Sequence, residues 1–199
     1  MPVYENERGT YIFNSKDLCM IGHVPEMIDA GIDSFKIEGR MKTALYVATV
    51  ARTYRKAIDD YMKDPKLYEA NMEWYKEEIG KCTYREFTTG FYFGKPGSDA
   101  QIYNSNTYVK NYTYLGTVEE ADGKGRCRIE QKNKFSVGET IEIMKPDGRN
   151  LEVVVKSICD EDGNGQESAP HPKQILWVDL GADVDKYDIL RKKRITKLK

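Results

Sequence analysis

Near residue 90 the sequence stops alternating between helix and strand patterns and becomes a succession of strands. That change constrains the fold more than any other feature. Before it, "TYIF" (10–13) is a short run of β-formers. "NSKD" follows, with Ser15 suited to cap a short helical turn. "VPEMIDAG" (24–31) reads as a helix with Pro25 near its start and Gly31 just past its end. "IDSFKIE" (32–38) reads as a strand. "TALYVATVARTYRKAIDDYMKD" (43–64) is the strongest helix; Ala44, Val47, Ala48, Ala51, Tyr54, Ile58 and Met62 recur at threes and fours and predict one buried stripe. Thr43 can cap it and Pro65 closes it. "KLYEANMEWYKEEIG" (66–80) predicts a further helix with Leu67, Met72, Tyr75 and Ile79 inside. Strand, helix, strand, helix is the order that builds parallel sheets through right-handed crossovers. Two strands are too few for a parallel sheet, which needs neighbours on each edge and cover on both faces. Residues 1–90 therefore read as the last βαβα units of an α/β, TIM-like barrel, with the other strands supplied elsewhere.

Residues 91–199 read as all-β. "YTYLGTVEEAD" (112–122), "GRCRIEQKN" (125–133), "ETIEIMKP" (139–146), "NLEVVVKSICD" (150–160) and "QILWVDLG" (174–181) alternate or run apolar. Asp122-Gly123, Asp147-Gly148 and Asp162-Gly163 mark turns between them. Strands at this spacing predict a small closed β-barrel. "GFYFGKPGSDAQ" (90–101) is the expected connection, and "RKKRITKLK" (191–199) reads as a basic tail.

Composition narrows the function. The formal net charge of −1 over 199 residues provides no overall field toward nucleic acid or membrane, so any basic surface is local. No apolar run reaches the roughly 20 residues that a membrane span needs. The first residues, "MPVYENERG", have no signal-peptide core, and the expected compartment is the cytoplasm. Cys19, Cys82, Cys127 and Cys159 form no CxxC pair, which argues against a disulfide framework or a self-contained zinc site.

"DSFKIEGRM" (33–41) carries the candidate chemistry. In a barrel strand, Phe35 and Ile37 would face the helices while Lys36 and Glu38 pointed inward. Burying those two charges costs several kcal/mol unless they are paired or bound to something. The C-terminal end of a barrel strand is where active sites lie, and Glu38-Gly39-Arg40 occupies it. Lys36, Glu38 and Arg40 are therefore the catalytic candidates, with Arg40 suited to a carboxylate or phosphate. The competing reading is a salt bridge on an edge strand with Arg40 solvated.

The blocks "SKDLC", "AGIDSFKIEGRMK" and "YVATVARTYRKAID", the later "TTGFYFG" and the "APHP" loop occur in an order that closely resembles peptidase family U32, the collagenase-like peptidases. The resemblance covers nearly the whole chain. It implies the end of an α/β barrel followed by a C-terminal β-barrel, and it implies a C-terminal portion, because the family's signature segment and its upstream cysteines are absent. Members of the similar branch act in oxygen-independent hydroxylation of the tRNA wobble uridine with prephenate as oxygen source. Relatives carry a [4Fe–4S] cluster on four cysteines, and Cys19 falls at a position like the last of them. The resemblance thus implies Cys19 as a cluster ligand in the full-length protein, prephenate as co-substrate, tRNA and the missing N-terminal barrel half as partners, and no cofactor in this portion alone. Without the family, Cys19 reads as a small buried apolar residue.

Two clusters could contact phosphates: Arg52, Arg55 and Lys56 beside Tyr54 on the long helix, and Arg191, Lys192, Lys193 and Arg194 in the tail. The alternative is a solvated helix face and an unstructured terminus. His23 and His171 have no Ser or Cys partner at a known spacing, and neither GxSxG nor HExxH occurs. Three readings stand: the C-terminal part of a tRNA-hydroxylating protein, part of a peptidase for collagen-like or other substrates, or an inactive RNA-binding module.

Overall fold

The computed structural model describes residues 4–7, 9–11, 14–103 and 108–194, and it divides into two compact units, Met1–Lys110 and Asn111–Lys199.

In the first unit a hairpin pairs β1 (Tyr4–Asn6) with β2 (Gly9–Tyr11). The predicted 10–13 strand overlaps β2, and residues 12 and 13 lie outside the described residues. Ser15 forms a bridge with Gln101 instead of capping a helix, and Asp17–Leu18 continues as β3. A 3-10 turn (Ile21–His23) leads into α1 (Val24–Asp29). Pro25 sits in its first turn, where its missing N–H costs nothing. Gly31, at φ +78°, accepts the left-handed backbone just past the end.

α2 (Ala44–Lys63) starts at Thr43, whose Oγ1 accepts the Tyr46 N–H at 3.3 Å. Asp64 ends it in an extended conformation and caps α3 (Pro65–Ala70), so Pro65 opens a helix as well as closing one. Asn71 separates α3 from α4 (Met72–Ile79), dividing the single helix expected over 66–80. β4 (Thr83–Tyr84), β5 (Phe87–Thr88) and β6 (Val109–Lys110) complete the unit. β4 pairs antiparallel with β6, and β3 pairs parallel with β5.

Two expectations for this unit are corrected. Residues 32–39 form no strand and find no strand partner among the described residues. Among the described residues parallel pairing is confined to β3 and β5, one parallel step that does not trace a barrel. The buried face of α2 is also different. Leu45, Thr49, Val50, Arg52, Thr53, Ala57 and Asp60 face inward, whereas Val47 and Met62 from the predicted stripe are exposed. Two of the inward polar groups meet partners outside α2. Arg52 pairs with Glu78 of α4, and Asp60 accepts from the Tyr75 hydroxyl (2.5 Å) and the Asn71 amide (2.8 Å).

The second unit is an all-antiparallel curled sheet of eight strands. They are β7 (Tyr112–Ala121), β8 (Arg126–Glu130), β9 (Thr140–Met144), β10 (Asn150–Val154), β11 (Ser157–Cys159), β12 (Gly165–Gln166), β13 (Ile175–Asp179) and β14 (Ile189–Lys193). Their order is β10-β9-β14-β7-β8-β13-β11-β12. The predicted Asp-Gly turns join β7 to β8, β9 to β10 and β11 to β12. At the first, Asp122 Oδ1 accepts the N–H groups of Lys124 (2.7 Å) and Arg126 (3.0 Å) while Gly123 takes φ +70°.

The expected closed barrel is realised as a curled sheet. The edge strands β10 and β12 do not pair with each other. A Ser136–Ser168 bridge, with the Val137 N–H to Glu167 O at 2.9 Å and the Ala169 N–H to Phe135 O at 2.9 Å, joins the approach to β9 to the segment after β12. Leu115, Val118, Ile129, Ile141, Ile143, Leu176 and Leu190 fill the concave side.

β14 was not expected, because its sequence reads as the start of a basic tail. Its charges are instead built into the sheet. Arg191 is fully buried, pairs with Glu142 and lies 5.2 Å from the Tyr112 ring centroid. Lys145, at the end of β9, is buried too. Its Nζ meets Asp185 at 2.8 Å and the buried Asp188 at 3.0 Å. No helix among the described residues is long and apolar enough to cross a membrane.

Lys145→Met is expected to destabilise the protein by about 3–5 kcal/mol, because it leaves the Asp188 carboxylate buried without its cation. Urea unfolding would show this as a lower midpoint of the second unit's transition. The exposed control Lys124→Met should stay within about 0.5 kcal/mol of wild type.

Candidate functional site

The parallel strands β3 and β5 position the candidate site. The Asp17 N–H donates to Glu86 O at 2.8 Å, and the Cys19 N–H donates to Thr88 O at 2.9 Å. The Asp17 carboxylate sits where three segments meet. It accepts the Arg85 backbone N–H at 2.9 Å and the Arg85 Nε–H at 3.0 Å, and lies 3.6 Å from Lys42 Nζ. Lys42 is the last link of the 33–42 stretch before α2, so Asp17 fastens that stretch to β3 and β5.

Cys19 follows β3 directly. Behind it is a cavity of about 30 Å³ lined in part by Tyr46, Tyr54, Cys82 and Tyr84. That volume has room for a water or two. The Tyr54 hydroxyl accepts the Met20 N–H at 2.8 Å and donates to Cys19 Sγ at 3.8 Å. Burial pushes the Cys19 thiol above its ordinary range; the Ile21 backbone and the Tyr54 hydroxyl oppose this by stabilising the thiolate. Burial also raises the Tyr54 and Tyr46 phenols, with Cys19 adding to both shifts.

The catalytic candidates Lys36, Glu38 and Arg40 are all exposed. Glu38 accepts the Arg40 backbone N–H at 3.0 Å, so its carboxylate closes a local turn. Gly39 has the close packing its sequence context implies: a Cβ there would lie 3.3 Å from Val47 Cγ2 and 3.5 Å from Tyr46 Cε1. Tyr46 thus lies beside Gly39 and also lines the Cys19 cavity. The sequence reading missed Asp17, Tyr46, Tyr54 and Cys82 as site residues. The only signal for them was the position of Tyr46 and Tyr54 on the helix that follows the stretch.

The basic clusters are mostly consumed by carboxylates. Arg52 is buried against Glu78, Arg55 pairs with Asp59, and Lys56 contacts Asp60 at 2.8 Å. Arg191 is interior, and Lys192 pairs with Glu139 at 2.5 Å. Arg191 is fully buried and Arg52 is 8% exposed, and each is paired with a carboxylate, so as placed here they act as structural cations. Lys193 and Arg194 are exposed, and the rest of the tail lies outside the described residues. His23 meets the Phe93 ring in a tilted contact with centroids 4.5 Å apart and bonds Glu26 at 3.0 Å, while His171 is exposed; neither is hydrogen-bonded to a Ser or Cys side chain among the described residues.

An iron–sulfur cluster needs several thiolates around one space. Among the described residues no group of three or more His, Cys, Asp or Glu could hold a metal ion. Cys19 and Cys82 share only the small cavity. These residues do not form a cluster site by themselves.

The two units match the two halves of one family. Residues 3–102 match Peptidase family U32, and residues 110–191 match the Peptidase family U32 C-terminal domain. The chain belongs to peptidase family U32. It is 37% identical over 191 residues to tRNA hydroxylation protein P1 of Bacillus subtilis (strain 168), covering 96% of this chain and 45% of that protein. It is 33% identical over 186 residues to tRNA hydroxylation protein P of Escherichia coli (strain K12), covering 93% of this chain and 40% of that protein. It is also 40% identical over 129 residues to a collagenase of Porphyromonas gingivalis (strain ATCC BAA-308 / W83), covering 60% of this chain and 31% of that protein. The chain spans less than half the length of each of these relatives.

Tyr54→Phe removes a hydrogen bond to the Cys19 sulfur that favours the thiolate, so the Cys19 titration should move further upward. The rate of iodoacetamide labelling at Cys19 against pH, read by peptide mass spectrometry, checks this. A midpoint that stays put or falls would mean that the hydroxyl does not act on the sulfur.

Proposed function

We propose that this chain is the C-terminal part of a U32 protein that hydroxylates the wobble uridine of tRNA with prephenate as the oxygen source. The observation that carries this reading is the near full-length match to tRNA hydroxylation protein P1, at 37% identity over 96% of the chain. The local geometry is compatible with it. A thiol and half-buried tyrosines sit at the C-terminal end of a parallel strand, where α/β folds gather their chemistry. The proposed roles are one cluster thiolate from Cys19 in the full-length protein, and recognition of the two prephenate carboxylates by Lys36 and Arg40. The reading places the protein in the cytoplasm with tRNA as its partner.

A peptidase reading is favoured by one finding, the 40% identity to a collagenase over 60% of the chain. Its chemistry would rest on Glu38. That carboxylate is exposed and bonded to its own turn, with neither histidine hydrogen-bonded to a Ser or Cys side chain among the described residues.

The test is mass spectrometry of tRNA nucleosides from a strain lacking the full-length gene and any paralogue. 5-Hydroxyuridine derivatives should vanish on deletion, return with the wild-type gene and stay absent with Cys19→Ala. Unchanged nucleosides in the deletion strain would remove the tRNA reading. Gelatin cleavage lost in Glu38→Gln would favour the peptidase reading.

A further inference from the structure

The C-terminal ends of β3 and β5 open on one side into a groove of about 1000 Å³, far larger than the cavity behind Cys19. Leu18, Thr88, Phe91, Tyr92, Lys95 and Gln101 line it. Phe91 is 77% exposed and Tyr92 58%, an unusual amount of bare ring for neighbouring residues. The backbone holds them out. The Tyr92 N–H donates to Thr89 O and the Gly94 N–H to Phe91 O, both at 3.3 Å, giving two successive turns. Gly90 at φ +60° and Gly94 at φ +129° flank the rings and permit that path. Phe93, 62% exposed, meets the His23 ring in a tilted contact with centroids 4.5 Å apart, while Phe91 and Tyr92 turn toward the groove.

The charges of the groove have one sign. Lys16 and Lys95 line it and no carboxylate does. Lys16 is held by Glu86 at 3.1 Å, and Lys95 makes no ion pair among the described residues. Exposed ring faces beside an unneutralised ammonium fit a ligand that combines flat rings with anionic links. A single-stranded nucleic acid is that ligand: its bases stack on aromatic side chains and its phosphates meet a cation. The amide of Gln101 adds a donor and an acceptor for a base edge.

We propose that this groove holds a single-stranded RNA segment, with a base stacked on Phe91 or Tyr92 and a phosphate at Lys95. The inference rests on the tRNA reading above and names the surface that would receive the anticodon loop.

The first test is fluorescence anisotropy of a labelled anticodon stem-loop, with uridine at the wobble position, titrated with the 199-residue chain. Phe91→Ala with Tyr92→Ala should weaken binding by about 5- to 150-fold for each stacked base lost. Lys95→Gln should weaken it less and lower the dependence of log K on log salt by about one ion. These side chains are exposed, so circular dichroism should show the fold intact; Lys95→Gln serves as the independent variant if the double change perturbs the loop. Equal binding by wild type and the double variant overturns the proposal. So does binding of a Pro-Gly repeat peptide at Phe91 and Tyr92 that leaves the RNA anisotropy unchanged, because aromatic grooves also take polyproline helices and the RNA would then lie elsewhere.

The second test separates the proposal from the reading beneath it. The full-length gene carrying both alanines should fail to restore hydroxylated uridine in the deletion strain. Restoration by that variant overturns the groove and leaves the tRNA reading standing. A deletion that leaves the nucleosides unchanged overturns the reading itself.

Discussion

The parallel pairing of β3 with β5 is the constraint on which the functional unit depends. Each strand contributes only two residues, Asp17–Leu18 and Phe87–Thr88. So short a pair has little backbone bonding of its own. The Asp17 carboxylate reinforces it by holding the Arg85 side chain and backbone on one side and Lys42 on the other. Charge-assisted bonds of this kind are about twice as strong as neutral ones. Everything of chemical interest then falls into place around the pair. Cys19 and the tyrosine-lined cavity lie behind it, and the aromatic groove lies beyond its ends.

The helices that link these strands are held to each other by polar contacts as much as by apolar ones. α2 turns Arg52, Thr53 and Asp60 inward, and each is bonded. Buried ions cost several kcal/mol to desolvate, so they stabilise a structure only where the partner is fixed. Here α4 supplies Glu78 and Tyr75 from adjacent turns of one helix. The arrangement favours one register of α2 against α4, because a shift by one residue would strand a buried charge. That register keeps Tyr46 and Tyr54 at the Cys19 cavity.

Much of this was legible in the sequence, and the exceptions have a common cause. The start of α2 at Thr43, the glycine stop of α1 and the three Asp-Gly hairpins are set by local chemistry, which spacing reports directly. The inward face of α2 is not local. Periodicity revealed an amphipathic helix but assigned the interior to Val47 and Met62, whereas paired polar residues hold it. β14 failed in the same way: Arg191 and its neighbours read as a solvated tail until Glu142, Tyr112 and Glu139 are placed around them. The strand expected at 32–38 has the right alternation, yet alternation cannot supply a hydrogen-bonding neighbour. Of the site, Cys19 was named through the family resemblance. Asp17 and the tyrosines come together only through contacts far apart in the chain.

The fate of the cations also bears on how this chain would meet RNA. It carries 31 Lys and Arg against 32 Asp and Glu, so its overall field is near zero. Arg52, Arg55, Lys56, Arg191 and Lys192 are each bound to a carboxylate. A protein that grips nucleic acid through many phosphates releases many counterions, and its affinity falls steeply with salt. Other cations, among them Lys36, Arg40, Lys95, Lys193 and Arg194, are exposed and make no ion pair among the described residues, so a salt-dependent share of binding stays open to this chain. Stacking does not depend on counterions and contributes about 1–3 kcal/mol per base. Under the proposal above, the ring faces would add a part of any RNA contact that does not depend on salt, with Lys95 meeting the backbone. The exposed pair Phe91 and Tyr92 provides those faces at the end of the strands where Cys19 lies.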